Sequence, residues 1–370
     1  MKNIAYYITT HGLGHATRSI AIIRELLNDP KLKIFVCSKL PQHYLDGCFK
    51  SKNIKFHEAE TLFGVLYKEL LHVDIEKSIA IFINGIEKQK KYIEKETEFC
   101  KKNNIDLLIS DICPFPFDVA DKLNIPSIAI SNFNWYSVFK HIISEKKALN
   151  VDKNLEIIRE SYEKANLLLE LPFSFDMNYF KKRLKVSLVV RKLTRKRPEI
   201  RALFNLKEDD LLIFYGLTDF LFTTDELIKK LDILNSNHNE LKIIFSIFLK
   251  KHIPQRAYFR FIPEDDQESQ DILAASDLVI GKVGYGTVSE CVAYERPFIY
   301  TTRKDFLEDI GLAKGIEMFG KGKYYPPKAL LNGNFENLVD LTYELNKKPV
   351  KNKIETNGAS KVFQVLEKFF

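Results

Sequence analysis

His11 and His15 flank Gly12-Leu13-Gly14, directly after the apolar run Asn3 to Thr9. A strand, a glycine turn and a helix would place both imidazoles at the strand's carboxyl edge. An imidazole near a helix N-terminus has its protonated form disfavoured, which suits a general base, and His15 is the first candidate. The plainer alternative is that one or both rings hydrogen-bond the turn. Two histidines four apart across glycines do not form the helical zinc pair, and no carboxylate lies near in sequence, so no metal is expected. Asp111 follows the apolar run Leu107 to Ile109. It could orient the base or bind an acceptor hydroxyl; capping the helix that begins at Phe115 is an equal alternative. Asn132 and Trp135 follow the next strand at the same edge, where the chain's single tryptophan could stack on a sugar or cover the core.

The second constellation is Leu278 to Glu290, LVIGKVGYGTVSE. Gly281, Gly284 and Gly286 separate a strand from a helix expected to begin at Thr287. Unpaired N–H groups and the positive dipole end at such a start suit an anion. Glu290, about one helical turn in, is poorly placed for phosphate but well placed for sugar hydroxyls. The stretch therefore reads as a nucleotide-diphosphate site that also holds a ribose, with Lys282 as a further cation. NAD-type binding is disfavoured and a P-loop is excluded. Thr17 stands where GxGxxG requires its third glycine, and the next strand ends Cys37-Ser38-Lys39, with no acid for an adenosine ribose. GxxxxGK[ST] is absent.

The elements that must position these groups alternate along the chain. Strands are expected at Asn3 to Thr9, Ile34 to Cys37, Ile54 to His57, Leu107 to Ile109 and Ser127 to Ile130. A long or broken helix is expected over Asp74 to Asn103. After a proline- and cation-containing stretch, Leu171 to Arg201, the alternation resumes through Leu211 to Tyr215, Ile243 to Phe248, Ala257 to Ile262, Leu278 to Ile280 and Phe298 to Tyr300. Strands separated by helices predict an α/β protein with two Rossmann-like, doubly wound domains facing across a cleft. Residues 1–185 form the first and 186–355 the second, with 356–370 an amphipathic helix packing back on the first.

The 370 residues carry 56 Lys and Arg against 49 Asp and Glu, a formal net charge of +7. The basic clusters lack interleaved aromatics or a zinc-finger signature, so no nucleic-acid partner is expected. A solvated face or a peripheral contact with an anionic inner-membrane surface accounts for them. No apolar run approaches the ~18 residues of a membrane span. The start lacks a secretory leader, and the five cysteines form no CxxC pair, which together fit the cytoplasm.

Four stretches in order, THGLGHATRS, SDICPFPFDVA with SNFNW, SLVVRKL and ASDLVIGKVGYGTVSECVAYERPF, resemble the glycosyltransferase-like N-terminal region of plant L-arabinokinase and its microbial relatives. That region belongs to the GT-B superfamily; its kinase half has no counterpart in these residues. The resemblance implies two Rossmann-like domains and a nucleotide-sugar donor, read as UDP-linked, as substrate, with no cofactor. It implies that Gly14, Gly216, Gly284, Tyr285, Gly286 and Thr287 approach the diphosphate, that Glu290 takes the ribose, and that Arg191 faces the phosphates across the cleft. His15 matches the proposed base, with Asp111 behind it, and His11, Asn132 and Trp135 lie on the acceptor side. Arg256 to Pro263 lies where relatives read the nucleobase. Asp219 departs from the pattern, since a carboxylate there repels a diphosphate. The reading is a metal-independent glycosyltransferase acting on an acceptor hydroxyl. A UDP-sugar hydrolase, a 2-epimerase of the same fold and a non-catalytic sugar-nucleotide-binding regulator are the alternatives.

Overall fold

The computed structural model describes residues 1–10, 12–68, 71–144, 151–217, 224–335 and 337–369, without the side chain of Leu13. His11 and Asp219 lie outside the described residues.

Nearly continuous apolar runs form the central strands, which are buried on both faces as parallel sheets demand, while the edge strands are partly exposed. The first half contains β1 (Lys2–Ile8), β2 (Leu32–Cys37), β3 (Ile54–His57), β6 (Leu107–Asp111), β7 (Ser127–Ser131), β8 (Leu167–Glu170) and β9 (Arg183–Lys185). They form one parallel sheet in the order β3-β2-β1-β6-β7-β8-β9. Between β3 and β6 an antiparallel hairpin, β4 (Tyr67–Lys68) and β5 (His72–Val73), leaves the sheet. The second half contains β10 (Leu211–Tyr215), β11 (Leu241–Phe245), β12 (Phe259–Phe261), β13 (Leu278–Lys282), β14 (Phe298–Thr301) and β15 (Gly322–Tyr324). These too are parallel, in the order β12-β11-β10-β13-β14-β15.

Strand order reverses direction between β1 and β6 in one sheet and between β10 and β13 in the other. At such switch points the connections leave on opposite faces and open a crevice beyond the carboxyl ends of the strands. His15 follows β1 and Asp111 closes β6; Gly216 follows β10 and the Gly281–Gly286 turn follows β13.

The two crossings between the halves lie side by side. Leu188 N–H donates to the Glu355 carbonyl at 2.9 Å, and Gly358 N–H donates to the Leu188 carbonyl at 3.0 Å. A Cβ on Gly358 would collide with the Ser187 carbonyl, so only glycine permits this approach. The final helix Gly358–Leu366 then packs on the helix Leu13–Leu26 through Val362 and Leu366.

Element boundaries differ from the sequence reading where local chemistry intervenes. The expected long helix splits into Ile75–Glu87 and Gln89–Lys102, the first capped by Asp74 accepting from Lys77 N–H. The Glu290 helix begins at Tyr285, two residues earlier than expected, because Gly284 takes the cap position.

Candidate functional site

The helix Leu13–Leu26 starts on Gly12, whose φ of 85° lies in the left-handed region that only glycine enters cheaply. Its first turn contains no acidic side chain. The Tyr285–Ala293 helix also begins without an acidic first turn and without a capping side chain. The two helix starts meet. A Cβ on Gly14 would lie 3.5 Å from Gly286 N and 3.8 Å from Tyr285 N, and one on Gly286 would strike Thr17 Oγ1. Thr17, standing where a dinucleotide fold has its third glycine, thus packs against the opposite turn. Two positive helix ends converge on the crevice, with open space around the Cβ positions of Gly12 and Gly284.

His15 is 5% exposed, and Asp111 lies behind it fully buried. His15 Nδ1 is 2.8 Å from Asp111 Oδ1. Arg18, three residues further along the same helix face, grips Asp111 with Nε to Oδ2 at 2.7 Å and Nη2 to Oδ1 at 2.6 Å. Ser19 Oγ also donates to Oδ2, at 3.0 Å. Burial alone would push the Asp111 carboxyl up, but the charge and hydrogen bonds of Arg18 and His15 outweigh it and hold it well below the usual carboxylate range. Asp111 is therefore no helix cap; Pro114 precedes the next helix.

Arg18 Nη2 also lies 2.8 Å from His15 Nδ1. Nη2 carries two hydrogens, with Asp111 Oδ1 and, at 3.3 Å, Ser131 Oγ available to accept them. The assignment that satisfies every donor puts the proton on His15 Nδ1, directed at Asp111, and leaves Nε2 as an acceptor. Among the described residues Nε2 has no hydrogen-bond partner. That is the tautomer of a general base.

On the opposite side, Arg191 and Glu290 are 2% and 5% exposed. Arg191 Nε donates to Glu290 Oε1 at 2.9 Å, Nη1 to the Gln267 carbonyl and Nη2 to Ser269 Oγ, each at 3.0 Å. Expected to face phosphates across the cleft, Arg191 here donates to Glu290, to the Gln267 carbonyl and to the Ser269 hydroxyl. Burial pulls the Arg191 guanidinium down, yet the Glu290 charge outweighs this and keeps it above its usual value. Only Oε1 of Glu290 is engaged by arginine. Gly216 lies under the turn, its N–H donating to the Ile280 carbonyl at 2.7 Å. Thr287 is half-buried, and Tyr285 is buried with its ring 5.1 Å from the Arg18 guanidinium. Lys282 Nζ sits 5.5 Å from the centre of the Tyr67 ring.

Trp135 is a correction to the acceptor-side expectation. It is fully buried, packed edge-on against Phe133 and beside Phe139, in a core a sugar cannot reach. Asn132 is also fully buried, but within the polar network: its Oδ1 accepts from Arg18 Nη1 at 2.6 Å and its Nδ2 donates to Glu308 Oε1 at 3.1 Å.

Sequence reasoning missed Arg18, Glu308, Arg303 and Tyr67. The helical spacing His15-x-x-Arg18 was a usable signal. Glu308-Asp309 is an acidic first turn ahead of Leu312, Ile316 and Phe319 at helical spacing, a recognisable helix start. Arg303 Nη2 donates to Glu308 Oε2 at 3.1 Å and to Asp309 Oδ1 at 2.5 Å, and its Nη1 donates to Tyr67 Oη at 3.1 Å. Nothing local to 303 or 67 signals that contact.

Comparison with known proteins agrees with this architecture. The family model described as Glycosyl transferase family 1 matches residues 2–328. L-arabinokinase of Arabidopsis thaliana is 26% identical over 341 residues, 90% of this chain and 31% of that protein, so the chain spans about a third of that relative. The calicheamicin glycosyltransferase CalG4 superposes with a TM-score of 0.65 at 15% identity, covering 100% of this chain and 98% of that one. S. aureus MnaA in its co-structure with UDP gives a TM-score of 0.62 at 12% identity, covering 100% and 97%. The spinosyn rhamnosyltransferase SpnG, complexed with thymidine diphosphate, gives 0.62 at 10% identity, covering 99% and 100%. The two facing parallel sheets are the GT-B fold, and the chain belongs to glycosyl transferase family 1 as a glycosyltransferase.

Proposed function

We propose that the protein moves a sugar from a nucleotide-diphosphate donor, read as UDP-linked, to an acceptor hydroxyl without a catalytic metal. The observation that carries this reading is the juxtaposition of an Asp-backed imidazole with an acid-free helix start from the other half. His15 Nε2 takes the proton of the acceptor hydroxyl as its oxygen bonds to the anomeric carbon. The bond from that carbon to the diphosphate oxygen breaks, and the diphosphate leaves as an anion. Its charge is met by N–H groups at Gly286 and Thr287 and by Lys282, fixed before the reaction starts. Glu290, held by Arg191 through one oxygen, offers the other to ribose hydroxyls.

The diphosphates named with MnaA and SpnG support a donor of this class. Among the described residues no helix is long and apolar enough to cross a membrane. The exposed edge strand β9, with Arg183 and Lys185, and the Lys181-Lys182 pair just before it are where a peripheral contact with an anionic surface would form.

Calorimetry with UDP, thymidine diphosphate and GDP, followed by product analysis with the matching nucleotide sugars, tests the proposal. One nucleotide binding and releasing its sugar to an acceptor supports it. Binding of none overturns it. Release of free sugar with every acceptor supplied replaces transfer with hydrolysis.

A further inference from the structure

Glu308 stands on the second half of the chain, Asn132 on the first, and they meet beside the His15–Asp111 pair. Both are buried, at 6% and 0% exposure, so bulk water does not share the contact. From Glu308 the hydrogen bonds run both ways without a break. In one direction Arg303 links it to Tyr67 of the hairpin. In the other, Asn132 accepts from Arg18, which holds Asp111, which faces His15.

The chemistry of each link fixes its direction. Arginine only donates and a carboxylate only accepts, so the residue joining Arg18 to Glu308 must accept on one side and donate on the other. Asn132 does so with Oδ1 and Nδ2; a flipped amide would set donor against donor and acceptor against acceptor. The consequence falls on His15. Arg18 Nη2 and Asp111 Oδ1 both lie 2.8 Å from His15 Nδ1. A small rotation of the guanidinium therefore decides which of them the ring nitrogen meets. Nη1 is the corner of Arg18 that Asp111 does not hold, and Asn132 holds it.

The halves are joined at the paired crossings 187–188 and 355–358, a natural hinge. Opening there would draw Glu308 away from Asn132. The hairpin would release with it, because Val73 N–H and Lys304 N–H bond across the same gap, to the Lys304 and Leu71 carbonyls, and Leu71 lies in the core of the second half.

We propose, building on the transfer reading above, that Asn132 and Glu308 are positioning residues whose hydrogen bond lets closure of the two halves set the geometry of His15 against Asp111. The base is then competent only when the donor side is in place, which protects an activated sugar from premature reaction with water.

The test uses the full chain with ¹⁵N-labelled histidine, the His15 signals assigned by their loss in His15→Gln. Glu308→Gln leaves an amide that can serve only one of its two donors; Asn132→Asp keeps the Arg18 contact and sets a carboxylate against Glu308. Both keep side-chain size, and either suffices should the other not fold. Each is expected to move the His15 ring-nitrogen signals in the free protein. Each should lower kcat about tenfold while the Kd for nucleotide diphosphate without sugar stays within about twofold, and the double variant should be no worse than the worse single. Unmoved His15 signals, or losses that multiply in the double variant, overturn the proposal. Absence of nucleotide binding and turnover in the unaltered protein defeats the transfer reading instead, and the ring signals still decide the relay.

Discussion

Each half of the molecule starts a helix on a glycine at the switch point of its sheet, and the two starts are wired in opposite ways. In the first half the arginine, Arg18, is on the helix and the carboxylate, Asp111, comes from the neighbouring strand. In the second the carboxylate, Glu290, is on the helix and the arginine comes from the crossing chain. Arg18 occupies both oxygens of Asp111, whereas Arg191 occupies one of Glu290. A carboxylate with both oxygens engaged can orient a neighbour but has little left for a ligand; one with an oxygen open can still receive a hydroxyl. The glycines differ too. Gly12 is needed for its positive φ, while Gly284, at φ −151°, is extended backbone that any residue adopts and leaves room in the crevice. The proposed function accordingly puts chemistry on the imidazole of the first start and recognition at the second.

The comparison breaks most sharply at His15. His15→Ala is expected to lower the rate of transfer by roughly 10²–10⁴-fold, the contribution of a positioned base. Nucleotide affinity, which the proposed function assigns to the other start, should stay unchanged in calorimetry. Loss of both together would show that the two starts do not divide the work. Asp111→Asn comes next. It leaves Arg18 buried beside a neutral partner, a change that costs about 3–5 kcal/mol of stability in urea unfolding. The residual folded protein should also transfer slowly, since the amide can present its N–H to Nδ1 and favour the wrong tautomer.

These effects show which parts of the site the sequence could reveal. Gly12, Gly14, His15 and the 278–290 turn were readable because strand, glycine and helix start are local events, and local spacing reports them. The pairing of His15 with Asp111 was suggested by both lying at strand carboxyl edges, and parallel pairing of Ile8 with Asp111 brings those edges together. For Trp135 the residues left a sugar platform and the core both open, because an apolar ring after a strand looks the same whether it turns outward or inward; here Phe133 and Phe139 hold it inside, against the acceptor-side expectation. The pairing of Arg191 with Glu290 was not legible because an arginine's partner depends on tertiary structure, and Glu290 is 99 residues away. The Asn132–Glu308 contact joins residues 176 apart and belongs to the meeting of the halves, which no local pattern encodes.

A smaller effect sharpens the second start. Glu290→Ala should weaken UDP binding by about tenfold, the worth of a hydrogen bond to a charged group. UDP lacking its 2′ and 3′ hydroxyls should bind the unaltered protein about as weakly as UDP binds the variant, and the variant should not distinguish the two. If the variant still prefers the hydroxyl-bearing nucleotide, Glu290 is a structural partner of Arg191 and nothing more, and the two starts become alike.

The smallest effect is one of pH, and it follows from the sign of each carboxylate's shift. Asp111 is held below its usual range in the folded chain, chiefly by Arg18 against the cost of burial. The unfolded chain therefore takes up its proton first, near the ordinary value of about 3.9, so the contribution of Asp111 is complete above that pH and is lost as acid approaches the lower folded value. Glu290 is shifted the other way: burial raises it, and the Arg191 charge only partly opposes this. Its contribution is complete below the ordinary glutamate value and declines as pH rises through the folded one. The stability lost in Asp111→Asn should hence be level from pH 5 to 8 and shrink below about pH 4. The loss in Glu290→Gln should shrink in the opposite direction, toward alkaline pH. Urea midpoints for both variants and the unaltered protein across pH 3 to 8 measure this directly. Parallel curves would mean that one arginine neutralises its carboxylate as completely as the other, and the distinction between an engaged and a half-open carboxylate would fall.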